Sequence, residues 1–101
     1  MTDQPDAIIH QPIRLKIMAA LKALPDGEQL EFVKLKDIAG ATEGNLGAHI
    51  TTLESAGYAS VAKDFVGKRP RTRVGLTRQG RRAFEDYVTY LKDILNTGAS
   101  S

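Results

Sequence analysis

Apolar residues recur along this chain in blocks, and each change of spacing marks a new element. In PIRLKIMAALKAL, Ile13, Ile17, Ala20, Leu21 and Leu24 fall at helical intervals while Arg14, Lys16 and Lys22 lie off the stripe, which predicts a first helix. Pro12 suits its first turn, where an N–H is not needed, and Pro25-Asp26-Gly27 ends it. Gln29 to Val33 fits either a brief strand or the lead-in to a second helix; the strand is preferred because a later hairpin needs an edge partner. Leu35 and Ile38 then stripe a short helix over 34–39, and Leu46, Ile50 and Leu53 stripe another, opened by Thr42 and closed by Gly57. From Tyr58 to Val66 the period drops to two, with Ala59, Val61, Lys63 and Phe65 on one side. TRVGL, 72–76, is the expected partner, with Val74 and Leu76 inward and Arg73 outward. The charged stretch Gly67-Lys68-Arg69-Pro70-Arg71 between them is expected to be a loop. Thr77 reads as the cap of a long last helix, Arg78 to Asn96, ended by Gly98.

The two short helices carry the organisation of the chain. Each must bury its stripe against the other and a third element, and Gly40 between them permits the φ > 0 that a sharp reversal needs. A helix-turn-helix is the result. With Leu46 at the centre of the buried face and about 100° per residue, Gly44, Ala48, Thr51, Thr52 and Ser55 face outward, with Asn45 at the edge. These side chains are short. An interior glycine costs a helix about 1 kcal/mol relative to alanine, so Gly44 and Gly47 call for a reason. One reason is close approach of the backbone to another surface, such as the major groove of a duplex. The other reading is a weak helix held by tertiary packing.

Composition narrows the field. At 101 residues and 42% apolar, the chain suffices for one domain and is too short for two of ordinary size. It has no cysteine, which excludes disulfides and thiolate chemistry, and no apolar run long enough to span a bilayer; a soluble, cytoplasmic protein is expected. The net charge of +2 conceals a segregation: Lys63 to Arg82 carries +7, leaving −5 for the rest. That is an electrostatic footprint for a polyanion.

The order helix, strand, helix, helix, hairpin, helix, with GNLGAHITTLESAGYASV followed by VGKRPRTRVGLTRQG, resembles the short winged helix-turn-helix transcriptional regulators related to the MarR and ArsR groups. The resemblance covers about 12–95 and implies an α+β, mostly helical fold: a three-helix core, a small antiparallel sheet with a β-hairpin wing, and a long C-terminal helix. It implies sequence-specific binding of double-stranded DNA as a homodimer, with helix 42–56 in the major groove and wing 66–72 at the minor groove or backbone. On this reading Gly44, Asn45, Ala48, Thr51 and Thr52 meet bases, while Thr42, His49, Lys63, Lys68, Arg69, Arg71 and Arg73 meet the backbone. The candidate recognition helix contains no arginine or lysine, and Glu43 and Glu54 sit at its ends. Bidentate arginine-to-guanine readout is therefore unavailable from it, and affinity must come mainly from the wing.

The last helix is the expected dimer surface. Phe84, Tyr87, Val88, Leu91, Ile94 and Leu95 form a stripe wider than a domain this small can cover, with Ile8 and Ile9 of the N-terminal segment as further contacts. Residues 1–11 are expected to be a flexible arm, 12–96 the domain and 97–101 a disordered tail. Catalysis finds no support: His10 and His49 are too far apart in sequence to suggest a local metal site, and nucleophile-elbow and phosphate-loop patterns are missing. His49 reads either as a satisfied, half-buried histidine or as a phosphate contact. No cofactor or membrane is implied. The alternative to a DNA-binding regulator is a winged-helix module for protein contacts that works through its last helix. Operator, regulated genes, sign of regulation and any effector are not written in the sequence.

Overall fold

Gln11 and Pro12 start the first helix together. The structure, a computed structural model, describes residues 5–100, with side chains from 5 to 97. The Gln11 side chain accepts from the Arg14 N–H at 2.8 Å, and Pro12 takes the first position of α1 (Pro12–Lys22). β1 (Gln29–Glu31), α2 (Phe32–Ala39), α3 (Glu43–Ser55), β2 (Ala59–Val66), β3 (Arg69–Leu76) and α4 (Arg78–Ser100) follow. The strands make one antiparallel sheet in the order β1-β3-β2, in which Val74 lies opposite Leu30 on one side and Val61 on the other. This is the mostly helical α+β winged-helix architecture that the sequence predicts.

The core forms where these elements meet. Ile17, Met18 and Leu21 of α1, Leu35 and Ala39 of α2, and Leu46, Ile50 and Leu53 of α3 close on Ala59 and Val74 of the sheet and on Tyr87 of α4. Burying a leucine or isoleucine completely stabilises the fold by about 1.5–3 kcal/mol. The outer part of α3 is therefore held in place from beneath, by Leu46 and Leu53 at 0% exposure. Gly40 adopts φ 64° at the C-cap of α2, and the Thr42 hydroxyl accepts from the Asn45 N–H at 3.2 Å at the start of α3. Both features of the turn stand as expected.

The SAGY and LTRQG segments meet at one knot. Gly57, at φ 82°, ends α3 with the Tyr58 N–H donating to Leu53 O at 2.9 Å, a six-residue closure. The Thr77 hydroxyl donates to Gly57 O at 2.6 Å and accepts from the Gly80 N–H at 2.9 Å, which caps α4 and ties it to the end of α3. A Cβ on Gly80 would overlap the Tyr58 carbonyl oxygen. Only glycine lets α4 pass there.

Three expectations are corrected. α2 begins at Phe32 and β1 stops at Glu31, because Phe32, Leu35 and Ala39 form the inward stripe, and Ile38 is left 49% exposed. The stretch from Gly67 to Arg71 is no five-residue loop: Phe65 pairs with Pro70 and Val66 with Arg69, so only Gly67 and Lys68 turn. Gly67 at φ 63° supplies the glycine that a type II′ hairpin turn needs, and Pro70 is tolerated because β1 pairs with β3 only at 73–75, leaving an edge at residue 70. α4 runs on through Gly98 to Ser100, since one glycine weakens a helix without ending it. Ser101, the end of the expected tail, lies outside the described residues, as do 1–4 of the expected arm.

The remaining part of that arm is tied down. Asp6 Oδ1 accepts from the N–H groups of Ile8 and Ile9, Tyr58 donates to Asp6 Oδ2, His10 Nδ1 lies 2.8 Å from the Tyr87 hydroxyl, and Ile9 is 0% exposed. Ile9 is core rather than interface surface. The expected stripe on α4 likewise divides. At about 100° per residue, Gly80, Ala83, Tyr87 and Tyr90 face the domain, while Phe84, Val88, Leu91 and Leu95 form an adjoining face. Tyr87 is 4% exposed and Leu95 is 70% exposed, so Tyr87 belongs to the chain's own core.

Candidate nucleic-acid interface

The outer face of α3 is open and small. Gly44, Asn45, Ala48, Thr51 and Ser55 are exposed, and Thr52 is half-buried with its hydroxyl donating to Ala48 O at 3.1 Å. That bond leaves the Thr52 oxygen available as an acceptor. The Asn45 amide has no partner among the described residues, so both its donor and its acceptor face solvent. A Cβ added to Gly44 or Gly47 would meet nothing within 4 Å, and neither glycine has a positive φ. Packing within the chain and backbone conformation therefore give no reason for either glycine. The other reading, a weak helix held by tertiary packing, is met by the buried Leu46, Ile50 and Leu53 that anchor α3 from beneath.

Beside α3 the hairpin encloses a groove of about 550 Å³, lined by Glu43, Gly47, Thr51 and Glu54 on one side and Val61, Lys63 and Thr72 on the other, with Phe32 and Ile50 at its floor. Strand alternation explains the sheet side, since Val61, Lys63 and Thr72 share the face that is core lower down. The groove is not legible in the sequence, because it requires knowing how α3 crosses the ribbon.

The wing's charge is smaller than its composition. Asp64 accepts from Arg71 Nε at 2.9 Å and Arg71 Nη2 at 2.8 Å, a bidentate pair, and from Arg73 Nη2 at 2.9 Å. The bond from Arg71 holds the Asp64 carboxyl below its ordinary range, so the pair stays ionised at neutral pH. Arg71 and Arg73, expected at the backbone, are thus engaged on the outer sheet face, and Arg81 is paired with Asp26 at 3.0 Å. Lys63, Lys68 and Arg69 are exposed and without a partner among the described residues. These three are the wing's uncompensated cations. A local signal existed for the pairing: Asp64 and Arg71 are cross-strand neighbours once the hairpin register is known.

His49 is on the flank of α3, with Nδ1 3.0 Å from Arg14 Nη1. Burial, and then the neighbouring Arg14 charge, lower its affinity for a proton. A neutral ring that accepts from Arg14 fits the satisfied, half-buried histidine of the sequence reading. Arg14 Nε also donates to Ile8 O, which joins the N-terminal segment to α3 through one guanidinium. Thr42 is exposed, its hydroxyl engaged as the α3 cap.

An αL-hinged helix pair beside a basic two-stranded hairpin defines a winged helix. The chain belongs to the family described as winged helix DNA-binding domain, whose pattern matches residues 13–95. It is 36% identical over 81 residues to an uncharacterized protein of Methanocaldococcus jannaschii, covering 80% of this chain and 85% of that one. Its fold is similar to a transcriptional regulator homologue from Pyrococcus horikoshii, with a TM-score of 0.78, 30% identity, and 89% and 86% of the two chains covered. A MarR family transcriptional regulator from Silicibacter pomeroyi shares the fold at a TM-score of 0.66 and 21% identity, over 85% of this chain and 54% of that one. The resemblance drawn from the motifs therefore holds at the level of family and fold. Among the described residues no helix is long and apolar enough to cross a membrane, and no cluster of His, Cys, Asp and Glu could hold a metal ion.

Proposed function

We propose that this protein is a transcriptional regulator that binds double-stranded DNA sequence-specifically as a homodimer. The observation that carries the reading is the pair Gly44 and Gly47: exposed or half-exposed, with open space where a Cβ would stand, and set on the second helix of the helix-turn-helix beside three wing cations unpaired among the described residues. Such glycines let the α3 backbone lie close to the floor of a major groove, which is wide enough to admit a helix. Asn45 then offers the paired donor and acceptor that match adenine, and Ala48 and Thr51 offer apolar or hydroxyl contact to thymine or other base edges. Lys63, Lys68 and Arg69 supply sequence-independent affinity by displacing counterions from phosphates.

Val88, Ile94 and Leu95 support the dimeric part of the reading, together with the outward sides of Phe84, Leu91 and Ile8. Ile94 at 49% and Leu95 at 70% exposure extend an apolar face beyond the domain body. A twofold axis through α4 would place two recognition helices about 34–36 Å apart, so that they meet successive major grooves and read a pseudo-palindrome. Selection of duplexes from a random pool tests the function directly. An inverted repeat is expected, and Asn45→Ala should relax one position in each half-site at a cost of about 1–3 kcal/mol. Recovery of a pool with no preferred sequence would reject specific binding.

A further inference from the structure

The tip of the wing carries apolar surface that none of the described residues covers. Because β1 reaches only as far as Arg73, the pairs from Lys63 with Thr72 to Val66 with Arg69 project as a two-stranded ribbon, about 13 Å long at 3.3 Å per residue. On it Phe65 is 70% exposed and Val66 is 55% exposed, and Pro70, the cross-strand partner of Phe65, is exposed as well. Alternation puts Phe65 and Pro70 on the same face as Lys63 and Thr72, which line the groove against α3. Leaving a phenylalanine in water forgoes the stabilisation its burial gives, and apolar residues on an unpaired ribbon invite aggregation. A single exposed apolar residue needs no explanation, but the surroundings of this one do.

Phe65 sits among the cations that remain free. Lys63, Lys68 and Arg69 lie within four residues of it and have no partner among the described residues, whereas Arg71 and Arg73, on the opposite face of the ribbon, are compensated by Asp64. The ribbon is also stiff where stiffness matters. Gly67 closes it in two residues, Pro70 fixes one backbone angle opposite Phe65, and the Asp64 clamp crosses the strands one pair below. A positively charged, rigid projection with an apolar point is complementary to the phosphate-rimmed groove of a duplex. The minor groove, about 6 Å wide, excludes the ribbon itself and admits its side chains.

We propose that Phe65, backed by Pro70, is a wedge that enters the minor groove between base pairs and kinks the DNA beside the helix-turn-helix contact. The inference rests on the DNA-binding reading above. Its consequence is specificity at positions that no polar side chain reads, because partial unstacking is easiest at pyrimidine–purine steps. Duplexes selected by the protein from a random pool serve as probes, labelled at both ends for energy transfer and with 2-aminopurine at their pyrimidine–purine steps. Binding of the parent protein should shorten the end-to-end distance and brighten the 2-aminopurine. Phe65→Ala should abolish both signals and bind these duplexes about tenfold more weakly with an unchanged salt slope, since no cation is removed. Phe65→Leu should keep both signals. A parent protein that binds without bending or unstacking overturns the wedge alone, as does a Phe65→Ala variant that bends DNA like the parent. A parent that selects no duplex and binds no random DNA overturns the DNA-binding reading as well. Thermal unfolding separates a structural role: Phe65→Ala should melt with the parent, and a lowered melting temperature with an unaltered bend assigns Phe65 to the ribbon's own stability.

Discussion

At Gly44 and Gly47 stability and function are expected to oppose each other. With open space where a Cβ would stand, alanine at either position should stabilise the helix by about 1 kcal/mol, while adding bulk to the surface proposed to approach DNA. Thermal unfolding of Gly44→Ala and Gly47→Ala alongside DNA titration should therefore show higher melting temperatures with weaker binding. Higher melting temperatures with undiminished binding would remove the reason for close approach. Gly80 behaves oppositely, because a Cβ there would overlap the Tyr58 carbonyl. Gly80→Ala should destabilise by about 1–3 kcal/mol or more, read by denaturant unfolding. The glycines look alike in sequence and differ by what lies opposite them. His49 shows the same limit: its place beside the buried stripe is legible in the sequence, and its partner Arg14, thirty-five residues away, is not. Since the folded chain holds the His49 proton more weakly than the unfolded chain does, its contribution is intact above the ordinary value of 6.5. It is lost as pH falls below 6.5 toward the depressed folded value. Melting temperatures followed from about pH 8 to about pH 5 should drop below that point, and His49→Gln should flatten the drop.

At the level of elements, helices and strands are readable wherever a stripe runs long, as in α1, α3 and α4. The departures gather where one residue has two roles. Phe32 reads as strand because it follows Leu30, yet it faces inward with Leu35 and Ala39 as the first residue of a helix. Pro70 reads as a strand breaker, although an edge position makes its missing donor harmless. The shorter turn changes the electrostatics of the wing, because pairing Asp64 with Arg71 and Arg73 removes two arginines from the cations free to meet phosphate. Arg69→Ala should reduce the magnitude of the salt slope of DNA binding by about one unit for each phosphate it no longer neutralises. Arg71→Ala should alter it far less. Asp64→Asn, which releases both arginines, should steepen it, and equal slopes for all three variants would dissociate the wing from the phosphates.

The whole molecule measures 58 × 25 × 21 Å, an elongation that comes from α4, whose 23 residues span about 34 Å. Its apolar residues are visible from sequence as one broad stripe. Their division is not, because it depends on which side the N-terminal segment covers: His10 meets Tyr87, and Ile9 fills the core beneath. The outer face through Val88, Leu91 and Leu95 is the one proposed to receive a second copy. Leu91→Glu with Leu95→Glu should convert a sedimenting dimer to a monomer. DNA binding should then weaken far more than removal of any one DNA-facing side chain would cause, since two linked half-sites reinforce each other. A double variant that stays dimeric would place the interface elsewhere.

Joint engagement of duplex DNA by α3 and the wing is tested most directly by the salt dependence of binding. Fluorescence anisotropy of a labelled random-sequence duplex, titrated from about 50 to about 200 mM salt, gives the slope of log affinity against log salt. Lys63, Lys68 and Arg69 from each protomer of a dimer predict a slope of about −5 at 0.9 per phosphate neutralised. A slope near zero, or no binding at the lowest salt, would contradict that engagement.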